Sequence, residues 1–359
     1  MNVELVCSSR ELFGADRSAI RLATLLETLG ADVSLTVPAS RPSLGMDQLA
    51  ERRGLQIAAG PVVIASSRGL TGLRPSPRNA PPANIDLTIY NSSAVLARRG
   101  DSAPRALVLR EWIDPQSARH RALVRYHGRR VAQVVAVSHG VGERWAACAG
   151  APSVTEICPN WLEPQWLTRS GDESREGVLF AGRLNRWKGH GILADAFGRA
   201  FRGVPDSPSL TFLGAEGAGS PFHEAARALR ERCAANGWTL ADFDPDPRRW
   251  FRHAALVVVP SLRPEPFGNV VLEALSCGAR VLAFPGGGID DLAPRFGDPL
   301  MVVPRTVADL ARGLGDWFAS GGGGQSRREL SHTDDVIARH YTAEAAAPRW
   351  QAVLDRVAP

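Results

Sequence analysis

The sequence predicts an α/β protein built from parallel sheets, arranged as two doubly wound domains. Three observations carry this prediction. Short apolar runs rich in Val, Leu and Ile alternate with amphipathic stretches of helix length along the whole chain. The alternation breaks at a polar segment, 160–177, and then restarts. Each half also opens as strand, helix, strand, the beginning of a βαβ unit.

Taken in order, VELVCSS (3–9) reads as the first strand and SAIRLATLLETLG (18–30) as a helix. Leu22, Leu25, Leu26 and Leu29 share one face of that helix, and Gly30 is its C-cap. DVSLTVP (32–38) is the second strand; VVIAS (62–66), DLTIYNS (86–92), ALVLREW (106–112), VAQVVAVS (131–138) and VTEICP (154–159) complete a first domain over 1–165. NWLEPQWLTRSGDESREG (160–177) is read as a strand-free linker. The second domain, 166–340, runs GVLFAGRL (177–184), HGILADAFGRAF (190–201), SLTFLGA (209–215), HEAARALRERCAANG (223–237), ALVVVPS (255–261), NVVLEALSCG (269–278) and ARVLAFPGG (279–287). These alternate strand and helix throughout. Glycines 321–324 read as a flexible loop. EAAAPRWQAVLDRV, within 341–359, reads as a terminal helix packing back toward the first domain. Open sheets bind ligands beyond the carboxyl ends of their strands, so the site is expected in a cleft that the two domains face.

Composition excludes several classes. The 359 residues are 44% hydrophobic and 22% charged, which rules out disorder, collagen and coiled coil. No apolar run approaches the roughly 20 residues that span a bilayer, and MNVELVCSSRELFG meets charge too early for a secretory segment. The chain is expected in the cytoplasm. Cys7, Cys148, Cys158, Cys233 and Cys277 are odd in number and scattered, which predicts packed free thiols rather than disulfides or a zinc site. The net charge of +5 arises before residue 164, where 19 arginines face 14 carboxylates. Such a surface suits an anionic substrate or peripheral contact with the inner face of a membrane; a solvated surface is the alternative. No zinc finger, RNA-binding signature or basic-aromatic interleaving points to nucleic acid. Among 42 basic residues a single one, Lys188, is lysine.

Two segments carry candidate chemistry. In GRLNRWKGHG (182–191), Arg183 and Lys188 follow a strand and precede a helix, where a phosphate meets both cations and helix amides. A solvated basic loop is the alternative. In PSLRPEPFGNVVLEALSCG (260–278), Glu265 lies in a Pro-rich turn and Glu273 eight residues on, inside a helix. Gly268 lets a ligand approach the amides of that helix. Glu273 is set among Val270, Val271, Leu272, Ala274 and Leu275, an awkward place for an idle charge. The alternative is a capping carboxylate and a surface one.

With these residues the chain resembles the family 4 retaining glycosyltransferases of the GT-B fold and their E-x7-E motif. PEPFGNVVLEALSCGARVLAFPGGGIDDL carries most of the likeness; FGADRSAIRLATLLETLGADVSLTVP (13–38), VVAVSHGVGERW (134–145) and CPN (158–160) extend it. The resemblance implies a nucleotide-sugar donor with Arg183 and Lys188 on its diphosphate; it leaves the base open, with UDP preferred over GDP. It further implies Glu265 at the transferred sugar, Gly268, Asn269 and Val270 offering backbone, and Glu273 on the ribose. Gly14 and Ala15 would approach the donor phosphate. No cofactor and no metal are implied, and DFDPDP (242–247) is read as a turn. The first-loop glycine pair is Gly14-Ala15 here, and GG-x-x-E reads Gly287-Gly288-Ile289-Asp290-Asp291.

Where many members carry His after a strand, this chain has Arg110 and Glu111, expected on the acceptor side; a strand-end salt bridge is the alternative. His139, after Ser138, is equally open. Arg121 and Arg125, with His120 and Arg129, would share a helix face suited to an anionic acceptor or, alternatively, merely solvated. Phe13, Trp112, Trp161, Trp166 and Trp187 are candidates to stack on sugar rings or, alternatively, to fill core. The expected activity is retaining transfer of a hexose to a glycan, glycolipid or natural-product acceptor. A nucleotide-sugar epimerase or hydrolase, and a binding module with a dead site, are the alternatives.

Overall fold

A computed structural model describes all residues except 11–13, 40–44, 61, 67–68, 72–83, 99–102, 149, 168–174, 216–222 and 358–359. The chain divides into two compact units, Met1–Trp161 with Ala343–Pro359, and Leu162–Thr342.

In unit 1 the elements run β1 (Asn2–Val6), α1 (Gly14–Thr28), β2 (Asp32–Pro38), α2 (Met46–Arg52), β3 (Gln56–Gly60), β4 (Val62–Ser66), β5 (Gly69–Thr71), β6 (Leu87–Tyr90), β7 (Val95–Arg98), β8 (Arg105–Leu109), α3 (Ala118–His127), β9 (Gln133–Ala136), α4 (His139–Ala146) and β10 (Glu156–Ile157). Seven strands form one sheet in the order β10-β9-β8-β6-β1-β2-β3, each pair parallel. Its central strands are mostly apolar and buried, β6 and β9 along their whole length, with Glu4 of β1 buried against the Thr36 hydroxyl as the charged exception. Helix α1 starts four residues earlier than its apolar periodicity suggests, since Ser18 Oγ donates back to the Gly14 carbonyl within the first turn.

VVIAS does not extend this sheet. It is β4, paired antiparallel with β5 and β7 in a separate three-stranded sheet. The place it was expected to fill is taken by β3, whose QIAAG is too poor in large apolar residues to stand out.

Unit 2 runs α5 (Pro164–Leu167), β11 (Glu176–Ala181), α6 (His190–Phe201), β12 (Leu210–Ala215), α7 (His223–Asn236), β13 (Thr239–Asp242), α8 (Arg248–His253), β14 (Ala254–Val259), α9 (Asn269–Ser276), β15 (Arg280–Ala283), α10 (Gly288–Phe296), β16 (Leu300–Val302), α11 (Val307–Ala319) and α12 (Arg327–His340). The polar segment read as a linker thus holds the short helix α5, and its residues 168–174 lie outside the described set. The sheet order is β13-β12-β11-β14-β15-β16, again parallel throughout. Phe180, Phe197, Phe201, Phe212, Leu256 and Trp317 anchor its core.

Glycines 321–324 are tied down rather than loose. Trp317 Nε1 donates to the Gly323 carbonyl at 3.1 Å, Arg280 Nε donates to the Gly324 carbonyl at 3.2 Å, and α12 follows with a Ser326–Glu329 capping box. The last helix, α13 (Ala343–Asp355), belongs to unit 1. Gln133 Nε2 donates to the Val353 carbonyl at 2.9 Å, and Arg349 Nη1 donates to that of Ile157 at 2.5 Å. Among the described residues no helix is long and apolar enough to cross a membrane.

Candidate active site

In unit 2 the sheet changes its direction of growth between β11 and β14, with β12 and β13 to one side and β15 and β16 to the other. Loops leaving two such strands diverge and open a crevice at their carboxyl ends. Lys188 comes from the loop after β11 and Glu265 from the loop after β14. Lys188 Nζ donates to Glu265 Oε1 at 2.7 Å, and the carboxylate side chain is only 8% exposed. Ser261 Oγ donates to the same oxygen.

The lysine loop is built to hold its ammonium still. Arg186–Lys188 form one 3-10 turn capped by Asn185, whose side chain accepts from the Lys188 N–H at 3.1 Å. Gly189 follows at φ 78°, and a Cβ there would stand 1.9 Å from the Pro260 carbonyl oxygen. Only glycine lets the two loops pass each other. The Leu262 N–H donates to the Trp187 carbonyl at 2.6 Å, and the Trp187 ring lies 4.3 Å from Lys188 Nζ, a cation–π contact.

The glutamate loop is fixed from behind. The Gly288 N–H donates to the Glu265 carbonyl at 2.8 Å, and a Cβ on Gly288 would meet the Phe267 carbonyl oxygen at 2.1 Å. Asp290 Oδ1 accepts from the Gly286 N–H at 2.8 Å, which gives the unusual aspartate of this segment a turn-holding role. Arg305 Nε donates to the Ser261 carbonyl at 3.1 Å and its Nη2 to that of Pro285, clasping the ends of β14 and β15.

Helix α9 opens at Gly268, φ 99°, with Asn269 and Val270 half-buried in its first turn. Glu273 stands one turn further on, half-buried beside the buried Val271, Leu272, Ala274 and Leu275. Arg183, half-buried, shares the loop of Lys188. Lys188 and Glu265 are thus in contact, and the other unit-2 candidates sit on the same two loops or the helix that one of them opens. Ser261, Asn185 and Arg305 escape sequence reasoning because a neutral cap and a carbonyl clasp have no motif.

In unit 1 the corresponding switch lies between β1 and β6. Gly14 and Ala15 are exposed at the start of α1, and Asn91, just past β6, donates from Nδ2 to the Ala15 carbonyl at 3.1 Å. Arg110 and Glu111 follow β8, but they do not form a strand-end salt bridge. Arg110 Nε donates to Asn91 Oδ1 at 2.6 Å and Nη1 to Asn160 Oδ1 at 2.5 Å. Glu111 accepts from Ser92 Oγ and, at 3.3 Å, from the Ser93 N–H and Oγ. Burial pushes the Arg110 guanidinium down to about 10.

Behind Ser93, the buried His127 pairs through Nε2 with the Ser93 carbonyl at 2.9 Å, and burial pushes it down to about 4. His139 is the exposed first residue of α4, whose N-cap Ser138 accepts from the Val141 N–H at 3.2 Å.

Several candidates take other places. Trp161 and Trp166 are core, 6% and 3% exposed; Trp112 lies 5.2 Å from the Arg144 guanidinium; Phe13 is outside the described residues. Arg121 and Arg125 are exposed on α3, but Arg129 lies beyond its cap, and His120 Nδ1 accepts from the Asp114 N–H at 2.9 Å. Asp244 accepts from the Asp246 N–H at 2.9 Å and from Trp250 Nε1 at 3.0 Å, so DFDPDP, after Asp242 at the end of β13, is a turn leading into α8. All five thiols are free and buried, and burial raises each of them, Cys158 to about 12 and Cys277 to about 11.

The segment that holds the lysine–glutamate pair has known counterparts. Residues 175–319 match the Glycosyl transferases group 1 family. A D-inositol 3-phosphate glycosyltransferase of Jonesia denitrificans is 32% identical over 188 residues, 50% of this chain and 42% of that protein. The protein of that name in Paenarthrobacter aurescens is 35% identical over 144 residues, 39% of this chain and 35% of its own. The chain therefore aligns with less than half the length of either relative.

The fold is shared more widely. The crystal structure of Anabaena HepE in complex with UDP-glucose is 18% identical, covers 99% of this chain and 100% of its own, and has a TM-score of 0.80. Sucrose-phosphate synthase from Thermosynechococcus elongatus is 15% identical with a TM-score of 0.73, covering 99% of this chain and 98% of its own. Two parallel Rossmann-like sheets and these likenesses make the fold GT-B.

Proposed function

We propose that this protein is a retaining glycosyltransferase of family 4, moving a hexose from a nucleotide-diphosphate sugar to a glycan, glycolipid or natural-product acceptor. The observation that carries the reading is the Lys188–Glu265 pair at the switch point of unit 2. A preset ammonium beside a desolvated carboxylate offers charge of both signs where a diphosphate departs and an anomeric carbon gains positive charge. Arg183 and Lys188 take the diphosphate without a metal, with the α9 amides behind Gly268, Asn269 and Val270 as further donors. Glu273 holds the ribose, and Gly14 and Ala15 offer backbone to phosphate. The Anabaena HepE structure, solved with UDP-glucose, supports UDP as the nucleotide.

In the reaction the bond from the anomeric carbon to the leaving phosphate oxygen breaks, and the acceptor oxygen bonds to that carbon on the same face. The acceptor proton passes to the departing diphosphate, so no enzyme nucleophile is required. Arg110, Glu111 and His139 stand on the acceptor side. The basic exposed face of α3 suits an anionic surface. Calorimetry with UDP and GDP, without metal, on the wild type and Lys188→Ala tests the donor site. One nucleotide should bind tightly and lose affinity in the variant. Binding of neither overturns the reading, and release of free sugar without acceptor would favour a hydrolase.

A further inference from the structure

The Arg110 guanidinium makes no direct ion pair among the described residues, and Glu111 reaches it only through space. Both groups that hold its guanidinium, Asn91 and Asn160, are neutral amides, and no carboxylate lies within ion-pair distance of it among the described residues. Glu111, its neighbour in sequence, accepts from Ser92, Ser93 and the Arg110 backbone N–H rather than from the guanidinium, which it stabilises only from a distance. The thiols that share its surroundings, Cys7 and Cys158, stay protonated because burial raises both. Arg21, 7% exposed, adds positive charge to the same neighbourhood.

A desolvated charge with no direct ion pair is unfavourable unless an opposite charge arrives to complete it. The two amides also fix direction. They occupy Nε and Nη1, while Nη2 has no hydrogen-bond partner among the described residues. A guanidinium so aimed matches an oxyanion, and at the carboxyl ends of parallel strands a ligand can reach it.

We infer that Arg110 is the receptor for an oxyanion, a phosphate or carboxylate group carried by the acceptor. This rests on the acceptor-side reading of unit 1 given above. It narrows the acceptors from sugars at large to sugars or glycosides bearing a negative group. Asn91 and Asn160 are positioning residues, since they act through the guanidinium they orient.

The test is calorimetry on the full chain with three separate titrants: inorganic phosphate, acetate and UDP. Phosphate or acetate should bind the wild type, bind at least about tenfold more weakly to Arg110→Gln, and bind Arg227→Gln, on the exposed surface of α7, as it does the wild type. Whichever anion binds more tightly names the group. Asn160→Ala should weaken the same anion severalfold, and it serves if Arg110→Gln does not fold. Binding of neither anion, or equal binding to Arg110→Gln, overturns the inference. The UDP titration is read independently: failure there refutes the donor reading and leaves the anion result standing.

Discussion

The Lys188–Glu265 pair should be an energetic unit, and a double-mutant cycle measures it. Removing one member of a buried ion pair destabilises by about 3–5 kcal/mol, because the other charge is left desolvated. Here Glu265 is 8% exposed but Lys188 22%, so water already reaches the ammonium and a value of about 2–3 kcal/mol is expected for Lys188→Met. For a unit of this size each kcal/mol moves the midpoint by roughly 2–4 °C, so the melting temperature should fall by roughly 5–10 °C. Glu265→Gln should fall by a similar amount, since it strands the ammonium. The double variant Lys188→Met/Glu265→Gln has no charge to strand and should recover much of the loss, a coupling of about 1–2 kcal/mol. Urea unfolding of the four proteins at pH 7 gives all terms. Losses that simply add, within about 0.5 kcal/mol, would refute the pairing as a source of stability.

Three further outcomes follow from other residues. Gly189→Ala must push a Cβ against the Pro260 carbonyl at a positive φ, so a loss of at least about 3 kcal/mol and of UDP binding is expected, whereas Gly191→Ala, with nothing within 4 Å, should be neutral by thermal melting. His127 is held near 4 by burial against about 6.5 when unfolded, so the unfolded chain takes up the proton first. Stability should therefore decline as pH falls from about 7 toward 4, by about 2 kcal/mol at pH 5, and a urea series on His127→Gln should lack that part of the decline. The five buried thiols should resist iodoacetamide at pH 8 in the native protein and all react in urea, as counted by mass spectrometry.

Much of unit 2 was legible because its signals are redundant. The helices at 190–201 and 269–276 are framed by Gly189 and Gly268 and carry strong apolar faces, and Lys188 stands out in a chain otherwise purged of lysine. Unit 1 was read less well. Alternation of apolar residues identifies VVIAS as a strand but cannot say which sheet it joins, and an edge strand such as QIAAG needs few large side chains. The reach of neutral residues was also hidden. Nothing local marks Asn91, Asn160 or Ser261 as partners of charged groups 19, 50 and 4 residues away, since that pairing exists only once the strands are in register.

The return of α13 to unit 1 orders the birth of the molecule. Synthesis runs from the amino end, so Leu162–Thr342 emerges whole and can close its core while unit 1 still lacks its last piece. Until Val353 and Arg349 appear, the Gln133 side chain and the Ile157 carbonyl lack those partners, at the strands nearest the β10 edge. A nascent chain stalled short of Ala343 should therefore carry a protease-resistant second half and a first half that a chaperone still recognises.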